Sequence, residues 1–468
     1  VTRIFLPEAA HRIMIAITLI YTIFLLIAVL VFCTSRCKLK WSLFCIGIVI
    51  TYFLNVPAIV FYLSTGSQLY FSWGANPEDI YVGSLLNLVF TFFWMLGYMF
   101  VVYIKRKVWS VSHLHYTKTI IFFLFALSLC FYVYRLINNY GYGHAFRLYS
   151  SSNLHNVGAY GIIGAFSNLT PVLAATLLID FHSREKNFLY QKINNKIYFF
   201  MWSILFIDIA KGIAIDMQRG DVLQPIILIV FVLMVIKLSN KVIFIAIFSF
   251  FVIMTISPFL DILRKSDDVT SVINLQKKVT EKTNVDHFSI MTFAFFESAR
   301  KCIAPETSFA LKKYADREGT VGINPYLNTL IDPVVPRILW NYKPIKRSID
   351  GSLETYVPKI AAKEFGMDHL IWTFGGGEMY WQFGWVGVVL GGCLVGFAWA
   401  YLLWRALTLK SFFMVVILLS SISWGAPLIR AFDEFLYQFL SSLKTICFFW
   451  LLDIMFRIYK RNNYLILQ

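Results

Sequence analysis

Along this chain, apolar residues come in nearly unbroken runs of about twenty, separated by short polar or basic connections. A helix needs roughly 20 residues, rising 1.5 Å each, to cross the hydrocarbon core of a bilayer. Eleven runs meet that demand and are predicted to be membrane-spanning helices: about 13–33, 41–63, 83–104, 118–137, 160–181, 197–215, 222–238, 241–260, 383–404, 411–430 and 432–456. Arg430, Asp433 and Glu434 crowd the junction of the last two. One long stretch, 261–382, breaks the pattern by mixing aromatic, apolar and charged residues. Its patterning predicts helices near 268–284 and 289–302, followed by Pro/Gly punctuation from 319 to 358. The expected organisation is eight spans in 1–260, a folded cap in 261–382, and three spans in 383–468.

Composition agrees with that pattern. Of 468 residues, 58% are hydrophobic and only 15% charged, where soluble domains carry about 25%. The formal net charge of +16 suggests nucleic acid at first sight, but the basic residues gather in short connections. No Lys/Arg-rich helix interleaved with aromatics is present, so nucleic acid is not an expected partner. One alternating set of connections, including Arg36, Lys38, Lys40, Lys105–Lys107, Arg184–Lys196 and the tail Arg457–Arg461, carries 18 Lys and Arg. The opposite short connections carry five at most: Arg3, Arg12, Arg147, Arg219 and Arg430. The positive-inside rule places the richer set in the cytoplasm, with the N-terminus and the long loop outside and the C-terminus inside. The first apolar run is expected to stay as an anchor rather than be cleaved. Seven cysteines are scattered with only Cys302 in the loop, which rules out a disulfide framework there. No metal-ligand spacing is found around Cys33 and Cys37.

Charges inside spans cost several kcal/mol unless paired or wetted, so each asks for a reason. Asp208 and Lys211, three apart on one helical face, are expected to pair with each other. Lys444, inside the last run, either pairs between helices or lines a cavity. Arginines at the outer mouths of spans gain nothing from the positive-inside rule. Arg219 opens the seventh span, Arg430 closes the tenth and Arg147 follows the fourth. An always-charged, bidentate guanidinium is suited to gripping phosphate, although a headgroup contact or a salt bridge to Asp216, Asp221 or Asp433 would also account for each one.

Two loop segments carry more than composition. Ile331–Pro344 holds Arg337 and Lys343 on a frame set by three prolines. Gly375-Gly376-Gly377-Glu378-Met379-Tyr380-Trp381-Gln382-Phe383-Gly384 places a carboxylate on what reads as a flexible glycine hinge, beside aromatics, at the entry to the ninth span. The pattern Pro-Arg-x-x-Trp-x-x-Lys-Pro followed by Gly-Glu-x-Tyr-x-x-Phe-Gly-x-x-Gly resembles the Wzy-type O-antigen and oligosaccharide repeat-unit polymerases, relatives of the O-antigen ligases. The motifs occupy about forty residues, while the topology covers the whole chain.

The resemblance implies an all-α polytopic protein of the bacterial inner membrane, GT-C-like, with a large, partly helical periplasmic loop. It implies a metal-independent, cofactor-free, inverting glycosyl transfer between an undecaprenyl-diphosphate-linked glycan donor and a lipid-linked acceptor. Membrane lipids and a chain-length-determinant membrane protein are the further partners it suggests. Glu378 would then be the base, with His369 a weaker alternative, and Arg219, Arg430, Arg337, Arg300 and Lys343 would hold the diphosphate. In the ligases a His stands slightly upstream of the corresponding glycine-rich entry. Thr373 occupies roughly that place here, which favours polymerase over ligase. A flippase would show internal repeats and charges distributed through the midplane; no repeat is found, and the charges cluster at one surface beside the large cap.

Overall fold

The computed structural model describes residues 8–35, 37–65, 77–105, 114–152, 157–185, 195–212, 219–237, 241–249, 251–252, 304–323, 374–423, 440, 443 and 446–459. Among these residues the fold is helical, with no strand beyond one isolated bridge, His115 to Ser411. The helices are α1 (Glu8–Thr34), α2 (Ser42–Thr65), α3 (Pro77–Ile104), α4 (Lys118–Ser152), α5 (Val157–Glu185), α6 (Asn195–Lys211) and α7 (Arg219–Lys237). After them come α8 (241–249), α9 (Ala304–Glu318), α10 (Gly375–Thr408), α11 (Phe412–Ser423) and α12 (446–459). Five stretches are long and apolar enough to cross a membrane: His11–Thr34, Lys38–Pro57, Ile80–Ile104, Lys118–Ile137 and Gly375–Thr408. They turn large apolar side chains such as Leu19, Leu30, Phe100 and Phe123 outward, as a lipid solvent favours. The chain is an all-α membrane protein. Helical residues are also described within each of the six other apolar runs, among them the shorter apolar helices Val222–Ile236 and Phe412–Ile422.

The chain gathers into two compact units that cut across sequence order. The first comprises Val1–Lys107, Ser239–Leu402 and Ala426–Tyr437; the second comprises Val108–Leu238, Leu403–Gly425 and Gln438–Gln468.

Within the first unit α3 is the central post. At one end a 3₁₀ turn, Lys38–Trp41, joins α1 to α2, and the Tyr98 hydroxyl of α3 donates to Lys40 O at 2.8 Å. Phe44 of α2 stacks on Trp94 of α3 with centroids 5.9 Å apart. Gly47 leaves the space that the Trp94 ring fills. Against α10 the backbones themselves touch. A Cβ on Gly97 would lie 2.0 Å from Cys393 O, and one on Gly396 would lie 2.0 Å from Trp94 O. Gly392 and Gly396 form the small-x-x-x-small spacing that lets membrane helices approach this closely.

At the other end of α3 sits α9, part of the expected cap. Pro305 and Glu306 in its first turn suit a helix start, because Pro lacks the N–H that would go unbonded and a carboxylate favours the positive end of the dipole. Gly319, at φ 88°, closes it by donating its N–H to Ala315 O at 2.9 Å. Gly319–Gly322 is thus a helix ending. The first turn of α9 is buried against α3, where a Cβ on Gly83 would lie 1.7 Å from Pro305 O. The helices expected near 268–284 and 289–302 lie outside the described residues.

In the second unit, residues 114–117 are tied to several helix ends at once. Leu114 N–H and the Tyr116 hydroxyl donate to the fully buried Asp180 at 2.9 and 2.8 Å. Thr117 N–H donates to Asp453 at 2.6 Å, and Arg457 lies 2.8 Å from the other oxygen of that carboxylate. His115 N–H donates to Lys410 O at 2.6 Å. The start of α4, the end of α5, the α10–α11 turn and α12 therefore meet at one place. Asp208 and Lys211 pair at 3.7 Å, and Tyr132 donates to Asp208 at 3.0 Å. The expected mutual pairing forms. Lys444 lies outside the described residues.

The glycine contacts on α3 give a stability prediction. Gly97→Ala and Gly396→Ala each force backbone apart and should cost about 1–3 kcal/mol, read as a lower melting temperature in detergent. Leu394→Ala, on a side chain 58% exposed, should leave melting nearly unchanged.

Candidate functional site

The Gly375–Gln382 segment is helical. Three successive glycines are poor helix formers, each about 1 kcal/mol worse than Ala, so something else must hold them. A Cβ on Gly375 would meet the Phe90 ring at 2.6 Å. On Gly376 it would meet Leu86 O at 2.7 Å, and on Gly377 the Ser308 Cα at 2.3 Å. The glycines are there because α3 and α9 occupy the space side chains would need. This corrects the expectation of a flexible hinge: the three residues are contact points. The helix also begins eight residues inside the stretch 261–382 read as loop, at Gly375.

Both ends of the arm are fastened. Phe374 meets Phe90 edge-on at 6.0 Å, and Glu378 N–H donates to Phe374 O at 3.1 Å. At the far end Gly384, at φ 64° and ψ −153°, breaks α10 into this arm and the long span beyond. Such a break leaves carbonyls without helical partners. Val321 and Gly322 supply them, donating to Trp381 O at 3.2 Å and Gln382 O at 2.9 Å.

Polar groups concentrate around this arm. Ser308 donates to Asn87 Oδ1 at 2.6 Å, and Asn87 Nδ2 donates to Asn55 Oδ1 at 2.9 Å, all three side chains being buried. That ladder links α9, α3 and α2 within the apolar stretches. Glu378 is 3% exposed, in the first turn of α10, and Glu306 is 3% exposed in the first turn of α9. The partial positive charge of each helix start favours a carboxylate there. Next to Glu378, Gln382 and Trp381 are fully buried, and neither amide atom of Gln382 nor the indole Nε1 has a hydrogen-bond partner. An unbonded buried polar group costs about 1–3 kcal/mol, so three within two residues is a concentrated cost.

On its rim the arm is latched to α9. The Tyr380 hydroxyl donates to Asp316 Oδ1 at 2.8 Å, and Lys312 pairs with the other carboxylate oxygen while lying 5.1 Å over the Tyr380 ring. Trp385 meets Tyr380 edge-on at 5.7 Å. Burial alone would raise the Asp316 carboxyl, but hydrogen bonds from Lys312 and Tyr380 and the charge of Lys312 outweigh it, so it is held below its ordinary value. Burial alone would lower Lys312, and hydrogen bonding and charge interaction with Asp316 and Tyr380 reverse that and hold it above its ordinary value.

Of the residues nominated from sequence, Glu378 is placed in this cluster. Arg219 is the first residue of α7, in the second unit, and nothing beyond its backbone is described. Arg300, Arg337, Lys343, His369 and Arg430 lie outside the described residues. The sequence reading passed over Gln382, Trp381, Asn55, Asn87 and Ser308. A usable signal existed for two of them: Asn55 and Asn87 are polar amides inside apolar runs, and such residues rarely stand alone in a membrane. Among the described residues no group of three His, Cys, Asp or Glu is placed to hold a metal. The chain was compared with protein families, characterised proteins and solved structures, and it matches none of them.

The latch has a definite pH window. The contribution of Asp316 is present above the ordinary carboxylate value of 3.8 and is lost as pH falls through its lower folded value. That of Lys312 is present below 10.5 and is lost as pH rises through its higher folded value. The amide protection factors across Gly375–Gln382, rates taken relative to the intrinsic rate at the same pH, should therefore fall below pH ~4 in the wild type. In Asp316→Asn they should already be slightly lower at pH 7 and change little further on acidification. The effect is small, because the Asp316 side chain is 46% exposed.

Proposed function

We propose that this chain is a membrane glycosyltransferase that polymerises lipid-diphosphate-linked oligosaccharide repeat units into a surface polysaccharide. The reading includes eleven spans, a GT-C-like architecture, a bacterial inner membrane, an outward N-terminus and cap, and an inward C-terminus. The observation that carries it is Glu378: a carboxylate buried to 3% exposure, at the start of a helix held by glycine contacts, in the glycine-rich entry whose pattern suggested the chemistry. A side chain on so fixed a support meets the requirement of a general base for defined geometry.

In this reaction an acceptor sugar hydroxyl attacks the donor's anomeric carbon from the face opposite the leaving group. Glu378 takes the hydroxyl proton as the new C–O bond forms. The bond to the lipid diphosphate breaks, and the diphosphate leaves with the electron pair. Its growing negative charge calls for fixed cations, which are worth most where water is excluded. Arg219, Arg430, Arg337, Arg300 and Lys343 are nominated for that task. His369 is the second choice as base.

Deletion in the source strain should abolish the long glycan ladder on a gel and leave single repeats on lipid core. Complete loss of glycan from the core would point instead to a ligase or a flippase. Glu378→Gln should lower elongation by about 10²–10⁴-fold, with melting close to wild type. Arg219→Ala should weaken elongation as well. Full activity in both variants removes the site assignment.

A further inference from the structure

Glu378, Trp381 and Gln382 are spaced i, i+3 and i+4, which puts their side chains next to one another on one stripe of a helix. All three are buried, at 3%, 0% and 0% exposed. The neighbouring stripes are occupied: Gly376 abuts Leu86 and Asn87 of α3, Gly377 abuts Ser308 of α9, and Tyr380 bonds Asp316 of α9. On the stripe of Glu378, by contrast, Gln382 Oε1, Gln382 Nε2 and Trp381 Nε1 have no hydrogen-bond partner. Buried polar atoms in native proteins are nearly always satisfied, so three unbonded atoms on two adjacent residues beside a buried carboxylate call for an explanation, of which a bound group is one.

We propose that this stripe is a subsite for a sugar ring of the lipid-linked substrate, with Gln382 and Trp381 as positioning residues that hold hydroxyls against Glu378. The inference rests on the glycosyl-transfer reading and names which part of the substrate this stripe holds. The atoms on offer select the ligand. The Gln382 amide oxygen accepts, while its amide nitrogen and the Trp381 indole nitrogen donate. A hydroxyl both donates and accepts, so a pair of sugar hydroxyls satisfies all of them. A diphosphate can only accept, and would leave the Gln382 amide oxygen unbonded with a negative charge set against it.

The test uses the full chain in detergent, with the source strain's own lipid-linked repeat unit, accumulated in the deletion strain, as probe. Gln382→Leu keeps the volume and removes the unbonded amide, so it should melt at or above the wild-type temperature. Its affinity for the repeat unit, read by native mass spectrometry, should fall about tenfold, and the KM for elongation should rise by a similar factor with kcat less changed. Trp381→Phe, which removes the indole donor and keeps a ring, should fall in the same direction by a smaller factor. Undiminished binding in both variants overturns the subsite, and means that ordered water alone fills it. A melting temperature of Gln382→Leu clearly below wild type also overturns it, because the amide is then structural. A wild-type chain that does not bind the repeat unit does the same. Binding without elongation by the wild type leaves the subsite standing and removes the polymerase reading.

Discussion

Close approach of other backbones to α3 is the constraint on which the first unit depends. Lipid tails are as apolar as leucine, so membrane helices gain little from hiding apolar surface against each other. They must gain by packing and by hydrogen bonds instead. Glycine on one or both partners makes the contact possible at Gly83, Gly97, Gly376, Gly392 and Gly396. Where backbones come that near, side chains such as Phe90 and Trp94 have one place to go. A methyl group added at any of these points has to move a helix, not a side chain.

The chemistry-bearing arm inherits its rigidity from those contacts. Residues 375–383 have no intrinsic claim to helix, given the three glycines that open them. They are helical because α3 and α9 leave room only for a backbone without side chains, and because Val321 and Gly322 complete the bonding at the far end. Glu378 therefore sits on a support fixed at both ends and latched at its rim by Tyr380, Asp316 and Lys312. Fixing the backbone in advance removes most of the freedom that a catalytic or binding side chain would otherwise lose at each turnover.

Charge in the second unit has another use. Asp180 and Asp453 are fully buried, yet each accepts backbone or hydroxyl donors from residues 114–117, and so ties helix ends together. Asp208 and Lys211 answer each other, with Tyr132 completing the group. A charge within an apolar run is a functional candidate by default, but these sites show the alternative at work: Asp180 and Asp453 hold a turn in place, and Asp208 pairs within its own helix.

The lengths of the apolar runs alone determined that the chain is helical and membrane-bound. In lipid every backbone group must bond within its own segment, so run length and polarity, both local properties, place the helices, while ends such as Ser152 and Gly375 lie 15 and 8 residues beyond the apolar runs. The motif at 375–384 was visible for the same reason, since glycine, carboxylate and aromatics stand next to each other in the chain. What the three glycines do there was decided only by tertiary structure, because a glycine reads as a hinge or as a contact according to which backbone meets it. The helix Ala304–Glu318 was hidden as well: half of its residues are buried against α3 and its neighbours, and its pattern alone does not say which face is covered. Gln382 is the sharpest case. Its sequence neighbours make it one more polar residue at an interface, and only its full burial without a bonding partner turns it into a question about a ligand.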